Sequence, residues 1–187
     1  MWWWIKARRA HSILFAGFLV TLTMGLTLGG TVVELPSLVS VGYPAILSMF
    51  APIPVVSALA MSLDSRIASA EASGIREVRF LDGTLIFATV LGILGVGLLA
   101  SSETIAAVGR NTAFLVGLLL VARPFGQLAV MAPVAWIMLV VFISRPPPNP
   151  SLWSILPEEA AAPHAAAAAA AMFVSGTSVL LFPREYR

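Results

Sequence analysis

Long apolar runs alternate with short polar segments along the whole chain. A transmembrane helix needs roughly 20 apolar residues to cross about 30 Å of hydrocarbon. Six segments come close to that requirement: 12–30, 37–63, 84–100, 103–122, 126–144 and 164–182. The pattern predicts an all-α, polytopic membrane helical bundle, formed as one transmembrane domain over residues 1–187 with about six transmembrane helices.

The boundary between the fourth and fifth predicted helices is set by local sequence. The apolar run 111–145 is too long for one crossing, and it is interrupted at Arg123-Pro124-Phe125-Gly126. Proline cannot continue a helix and glycine can close one, so this tetrapeptide predicts a tight turn between two helices. Upstream, Ser102 before Glu103 is typical of a helix N-cap. The sixth helix has the weakest signal, because alanine is only marginally hydrophobic.

The basic residues predict which way the bundle faces. With a cytoplasmic N-terminus, six crossings return the C-terminus to the cytoplasm, and only two basic residues, Arg110 and Arg145, fall outside. The other nine fall inside: Lys6, Arg8, Arg9, Arg66, Arg76, Arg79, Arg123, Arg184 and Arg187. Cytoplasmic loops carry an excess of lysine and arginine, so this asymmetry favours six spans with both termini in the cytoplasm.

Composition agrees with a membrane protein and excludes several kinds of chemistry. Charged residues make up 11% of the chain, against roughly 25% in soluble domains. The pI is near 9.7, yet the net charge is only +2, so we expect no nucleic-acid partner. The chain has no cysteine, which excludes disulfides and thiolate metal sites. Arginine strongly outnumbers lysine and alanine is abundant, which is typical of a GC-rich bacterium and places the protein in a bacterial cell membrane.

No residue cluster indicates catalysis. Lys6, the only lysine, precedes the first predicted helix, so the chain cannot supply its own P-loop. His11 and His164 fall on opposite sides of the membrane, which makes a histidine metal site unexpected. We therefore expect no enzyme activity, no catalytic residues, no metal and no cofactor. The glycines of Gly92-Ile-Leu-Gly95-Val-Gly97 and of Gly25-Leu-Thr-Leu-Gly29 indicate close helix packing rather than nucleotide binding.

Arg110 and Asn111 are unusual polar residues for a membrane helix. If the fourth helix begins near Glu103, they lie about 10 Å below the outer surface at 1.5 Å per residue. A charge at that depth faces the bundle interior or snorkels to the surface. A helix that began at Asn111 instead would be too short to cross, so the sequence favours the buried arrangement. Both residues are candidates for a transport path.

Pro52 and Pro54 interrupt the second predicted helix. Two nearby prolines remove two backbone donors and free carbonyls of the preceding turn. Broken helices sometimes form transport sites, and the commoner alternative is a plain kink. These prolines are therefore the second pair of transport-path candidates.

The segment 64–82 is the longest predicted polar stretch on the cytoplasmic side. Its apolar residues fall near one helical face, with Arg66, Arg76 and Arg79 mostly off it. A short amphipathic piece can dock on a partner protein or rest on the membrane surface. A solvated connecting loop is an equally good interpretation.

Taken together, these features resemble the six-helix ABC-2-type permeases, in particular small permease-like proteins of high-GC bacteria. The resemblance rests on the charged segment between helices two and three, on Arg110-Asn111 in helix four, and on the tryptophan-containing stretch 153–171 before an alanine-rich last helix. It implies a permease subunit, a separate ABC ATPase, and a homo- or hetero-dimer. It also implies that Arg66, Arg76 and Arg79 couple to the ATPase and that residues 1–9 form an interfacial helix. The chain is shorter than typical members, and the alternative is an accessory or structural membrane protein.

Overall fold

The computed structural model describes residues 10–40, 42–64, 77–144 and 153–182. Those ranges contain six α-helices and a two-stranded antiparallel sheet between the first two. The elements in chain order are α1 (Phe15–Leu28), β1 (Val32–Leu35), β2 (Tyr43–Ile46), α2 (Ile53–Asp64), α3 (Glu77–Leu99), α4 (Glu103–Ala122), α5 (Ala132–Ile143) and α6 (Pro163–Leu181).

Four of the helical segments are long and apolar enough to cross a membrane, and they mark the chain as a membrane protein. They are Leu47–Asp64, Phe80–Leu99, Glu103–Phe125 and Pro163–Leu181. Two further apolar helices, Ser12–Leu28 and Leu128–Ile143, are shorter. The mostly helical class agrees with the sequence prediction, whereas the crossing of the two shorter helices stays a prediction.

Successive helices run between two ends of the bundle. The hairpin end holds the β1–β2 hairpin and residues 153–162, and the turn end holds the connection between α4 and α5. At the turn end, Arg123–Phe125 forms one turn of 3₁₀-helix, and Gly126 follows with a φ of 93°. That left-handed conformation favours glycine, so the turn predicted from Arg123-Pro124-Phe125-Gly126 is confirmed.

Helix α4 is the centre of the bundle. It runs from Glu103 to Ala122 as predicted, and the Ser102 side chain accepts a hydrogen bond from the Ile105 N–H at 3.3 Å. This cap satisfies one of the backbone donors that the first helical turn leaves without a partner. Of the candidate crossing segments, the one containing α4 is the most buried, at 72%. The position of α4 fixes what its polar residues can contact.

Small residues bring the helices into backbone contact. A Cβ placed on Gly97 of α3 would lie 2.8 Å from the Ala106 nitrogen of α4, and one on Gly25 of α1 would lie 2.7 Å from Ile105. The packing role predicted for the Gly92–Gly97 and Gly25–Gly29 segments is therefore confirmed at these positions. Gly95 differs, because nothing lies within 4 Å of its added Cβ.

The prediction of one helix over 37–63 is wrong in its first part. Residues Tyr43–Ile46 form β2, which pairs antiparallel with Val32–Leu35 of β1, and Pro44 lies opposite Glu34. Pro44 has no N–H to donate in a helix, and a proline disfavours helical geometry at the residue before it. A short 3₁₀ turn, Leu47–Met49, then leads toward α2.

Four other helices differ from their predicted limits. Helix α3 begins at Glu77, seven residues before the predicted 84, so residues that were expected in the connecting segment continue a membrane helix. Helix α5 begins at Ala132, because a 3₁₀ turn over Gln127–Met131 occupies the start of the predicted segment 126–144. Helix α1 follows a π-helical turn, Ala10–Leu14. Helix α6 differs by one residue at each end from the predicted 164–182.

Candidate functional site

Arg110 is a buried cation whose guanidinium is surrounded by backbone carbonyls. Its side chain projects from α4, and the residue is 6% exposed. Nη1 donates to the Glu159 carbonyl at 2.6 Å, and Nη2 donates to the carbonyls of Ile155 at 3.1 Å and Glu158 at 2.9 Å. A buried charge is tolerated only when it is paired or fully hydrogen-bonded. Arg110 therefore faces the bundle interior, and among the described residues its partners belong to the chain itself.

Asn111 completes the same arrangement. Its Oδ1 accepts from Arg110 Nε at 3.2 Å and from Nη2 at 3.0 Å, and its Nδ2 donates to the Leu156 carbonyl at 2.9 Å. Asn111 thus orients the guanidinium and adds a fourth tethered carbonyl. We call Arg110 and Asn111 with the four carbonyls of Ile155, Leu156, Glu158 and Glu159 the carbonyl clamp.

The segment held by the carbonyl clamp enters the bundle from the hairpin end. Ser154, Ile155 and Leu156 are 0%, 6% and 2% exposed, although they are not helical. Irregular backbone at membrane depth requires burial in protein, because lipid offers its polar groups no partner. The clamp provides those partners. We call residues 153–162 the plug.

Aromatic side chains pack around Trp153, the first residue of the plug. The ring of Trp153 meets that of Trp136 on α5 at 6.2 Å with nearly perpendicular planes, and Trp136 meets Phe114 on α4 at 5.4 Å. Edge-to-face pairs of this kind add stability beyond the area that they bury. The plug is therefore packed between α4 and α5 as well as tied to α4.

A carboxylate near the plug partly offsets the cost of burying the Arg110 charge. The Glu158 carboxylate attracts the Arg110 guanidinium, and it lies 3.9 Å from His164 Nε2 at the start of α6. Tyr43 of β2 is 1% exposed and lies outside the candidate crossing segments. Burial raises the pKa of its hydroxyl, the nearby Ser154 side chain works in the opposite direction, and the Glu158 charge adds to the increase. The hairpin, the plug and α6 thus share one electrostatic site.

Two polar atoms beside the site have no hydrogen-bond partner among the residues that the structure describes. They are Nε1 of Trp136 and Oγ of Ser144, a residue that is 0% exposed at the end of α5. An unsatisfied buried group costs roughly 1–3 kcal/mol. The hairpin end therefore contains polar groups that the described residues leave unpaired.

Pro52 and Pro54 do not interrupt a helix. Helix α2 begins between them, at Ile53, and the Pro52 carbonyl accepts the Val56 N–H at 3.0 Å. Proline is well tolerated in the first helical turn, where the missing N–H has no helical partner. The Val55 N–H donates to the Thr21 hydroxyl of α1 at 3.2 Å, which satisfies the new helix end. The expected broken helix is thus a helix start packed on α1.

The turn end contains a second arginine contact. Nη2 of Arg123 donates to the Leu63 carbonyl and to Asp64 Oδ1, each at 3.1 Å. Arginine at a helix C-terminus favourably meets the carbonyls that lack helical partners. This contact ties the last residues of α2 to the end of α4.

The ATPase-coupling candidates lie next to this contact in the chain. Arg66 and Arg76 fall outside the described residues, and Arg79 lies in the first turn of α3, where its side chain is not described. The structure joins the side chains of Arg110 and Asn111 by hydrogen bonds. It places Pro52 and Pro54 at the start of α2, against α1, and not within a broken helix. The contacts of the plug could not be predicted from local sequence, because Arg110 binds carbonyls 45 to 49 residues away.

A shallow, mostly apolar pocket also lies between α2, α4 and α5 in the described part of the chain. Val56, Leu115 and Pro133 are among its lining residues, and it has room for little more than a water molecule. Such a pocket is far below the roughly 300–1,000 Å³ of a ligand site. It carries no functional interpretation.

No family model, no curated protein and no solved structure matches this chain. Functional interpretation therefore rests on the sequence patterns and on the geometry of the two ends.

Proposed function

We propose that this chain is the transmembrane permease subunit of an ABC-type transporter, working as a homo- or hetero-dimer with a separate ATPase in a bacterial cell membrane. The proposal is supported by the six apolar helices, and by the charged segment that the chain inserts between α2 and α3. In this proposal both termini are cytoplasmic, and so is the turn end.

The single observation that carries the proposal is the contact of Arg123 with Leu63 and Asp64. It fixes the last residue of α2, from which the segment 65–76 departs, onto α4 in the middle of the bundle. A force applied to that segment by a partner would therefore reach α4 directly. Coupling requires such a continuous chain of packed elements between two sites.

The test is association with an ATPase. The chain, purified from its native membrane in mild detergent, should retain an ATPase and stimulate its ATP hydrolysis. Changing Arg66, Arg76 and Arg79 together to Ala should abolish both effects and leave membrane insertion unchanged, because interface charges govern encounter and register. The matched control is Arg184→Ala with Arg187→Ala, which removes two other predicted cytoplasmic cations and should have no effect. Retention of the ATPase by the triple variant would refute coupling through this segment.

An accessory or structural membrane subunit is the second candidate function. It is favoured by the carbonyl clamp, since Arg110 and Asn111 are engaged by the plug rather than facing an open path. This candidate expects stable association with other membrane proteins and no associated ATPase. If the parent chain retains no ATPase under the same conditions, the permease proposal fails and the accessory function becomes the better one.

A further inference from the structure

The turn between β1 and β2 is an exposed apolar element at the hairpin end. Leu38 is 82% exposed and Val39 is 50% exposed. The Leu38 N–H donates to the Phe142 carbonyl of α5 at 2.9 Å, and the Ser37 hydroxyl donates to the same carbonyl at 3.3 Å. The turn is therefore fixed beside the last residues of α5.

The apolar surface of the turn continues the outer surface of α5. Leu139, Phe142 and Ile143 are 40%, 37% and 47% exposed on a helix that consists almost wholly of apolar residues. In a membrane protein such a surface faces lipid. Leu38 and Val39 extend it past the end of the helix.

The length of α5 places the turn at the depth of the hydrocarbon. The 12 residues of α5 extend about 18 Å at 1.5 Å per residue. The 3₁₀ turn Gln127–Met131 before it, with 5 residues, adds at most about 10 Å at 2 Å per residue. The sum of about 28 Å does not exceed the hydrocarbon thickness of about 30 Å. If α5 crosses from the opposite boundary, the Phe142 carbonyl lies at the hydrocarbon boundary or inside it.

The hydrogen bonding of the turn suits immersion in lipid. Besides the Leu38 bond, the Val39 N–H donates to the Ser37 hydroxyl at 3.2 Å, and the Ser40 hydroxyl donates to the Gly42 carbonyl at 2.7 Å. Pro36 has no N–H to satisfy. Backbone donors at membrane depth need internal partners, and the donors of Leu38 and Val39 have them.

We propose that Leu38 and Val39 insert into the lipid bilayer beside α5, so that the β1–β2 turn is a lipid-binding element of the hairpin end. The turn supplies the apolar length that α5 lacks at its end. The proposal requires that α5 crosses the membrane, and it holds whether or not an ATPase associates.

Site-directed spin labelling tests the proposal, because the chain contains no cysteine of its own. Leu38→Cys and Val39→Cys are labelled singly and reconstituted into phosphatidylcholine–phosphatidylglycerol vesicles. Collision with oxygen, which concentrates in lipid, is compared with collision with a water-soluble nickel chelate. Both labels should show the oxygen preference of a label at Leu139→Cys, the lipid-facing control. A label at Glu159→Cys, an exposed plug residue, should prefer the nickel chelate.

Two results would overturn the proposal. A nickel preference at both turn positions equal to that at Glu159→Cys would place the turn in water. Protection from both reagents would mean that protein covers the turn, and spin–spin broadening would then identify a second copy of this chain as the cover. The Leu139→Cys label reports in every case whether the bundle has inserted.

Discussion

At the scale of single residues, Arg110 shows how a membrane protein accommodates a charge in its core. A guanidinium offers five donors in a fixed planar fork, and here the fork meets three backbone carbonyls and the Asn111 side chain. Each carbonyl belongs to non-helical backbone, and the carbonyls of Ile155 and Glu159 also accept the N–H groups of Glu158 and Ala162. The plug thus supplies hydrogen-bond partners to the arginine, and the arginine ties the plug to α4.

Replacing Arg110 by methionine should destabilise the protein by about 2–4 kcal/mol, because several buried carbonyls lose charge-assisted hydrogen bonds. The free energy of unfolding in mixed detergent micelles measures the loss. The matched control is Arg123→Met at the other end of α4, whose ion pair with Asp64 has side chains 21% and 59% exposed. Such a pair contributes under about 1 kcal/mol. Equal losses in the two variants would show that burial of the clamp does not matter.

Ionisation of Tyr43 makes the stability of the folded protein depend on pH at high pH. Its pKa lies above the ordinary value of about 10 because burial disfavours the phenolate. The folded protein therefore binds this proton more tightly than the unfolded chain does. The stability from the neutral hydroxyl is fully present below pH about 10, and it is lost as the pH rises through the folded pKa.

Ultraviolet absorption of tyrosinate measures this shift, since the chain contains only 2 tyrosines. The difference between titrations of the parent and of Tyr43→Phe isolates Tyr43, and its midpoint should lie above 10. The variant should also lose less stability than the parent between neutral and high pH. A midpoint at or below the ordinary value would contradict the buried placement of the hydroxyl.

At the scale of elements, α4 and α6 are in backbone contact. A Cβ on Gly117 of α4 would lie 2.5 Å from the Met172 backbone, and one on Gly176 of α6 would lie 2.9 Å from the Gly117 Cα. Small residues allow such approach, which membrane helices use because lipid gives them no hydrophobic drive to associate. Gly117→Ala should therefore cost about 1–3 kcal/mol by overpacking.

Gly95→Ala is the matched control for that prediction. Gly95 also lies within a helix, but its added methyl group would meet no atom within 4 Å. Alanine has a higher helix propensity than glycine by about 1 kcal/mol, so this variant should be neutral or slightly stabilised. Unfolding in mixed micelles compares the two variants. Equal stability of both would mean that α4 and α6 are not in backbone contact.

The elements also show which parts of the fold local sequence can predict. Both ends of α4 were predictable from Ser102 and from the Arg123–Gly126 turn, because capping and turn chemistry act on neighbouring residues. The β1–β2 hairpin was not predicted, since hydropathy counts apolar residues without distinguishing a strand from a helix. The α4–α6 contact and the plug were not predicted either, because their partners lie far apart in the chain.

At the scale of the whole molecule, the number of crossings decides where the two ends face. Four helical segments are long enough to cross alone, whereas Ser12–Leu28 and Leu128–Ile143 are shorter. Six crossings place the hairpin end outside and the turn end inside, in agreement with the distribution of basic residues. If only the four long segments crossed, α1 would begin and end on the same side of the membrane, and so would α5. Both helices nevertheless pack within the bundle.

Single-cysteine labelling in intact cells tests the six-crossing arrangement, since the parent chain has no cysteine to remove. Glu159→Cys in the plug should react with a membrane-impermeant maleimide from outside, because both the residue and the hairpin end are exposed there. Pro124→Cys, in the exposed turn between α4 and α5, should react only after the cells are opened. Both substitutions replace exposed side chains, so neither should disturb the fold. Labelling of both cysteines from one side would mean that an even number of crossings separates the turn from the plug, so that α5 does not cross.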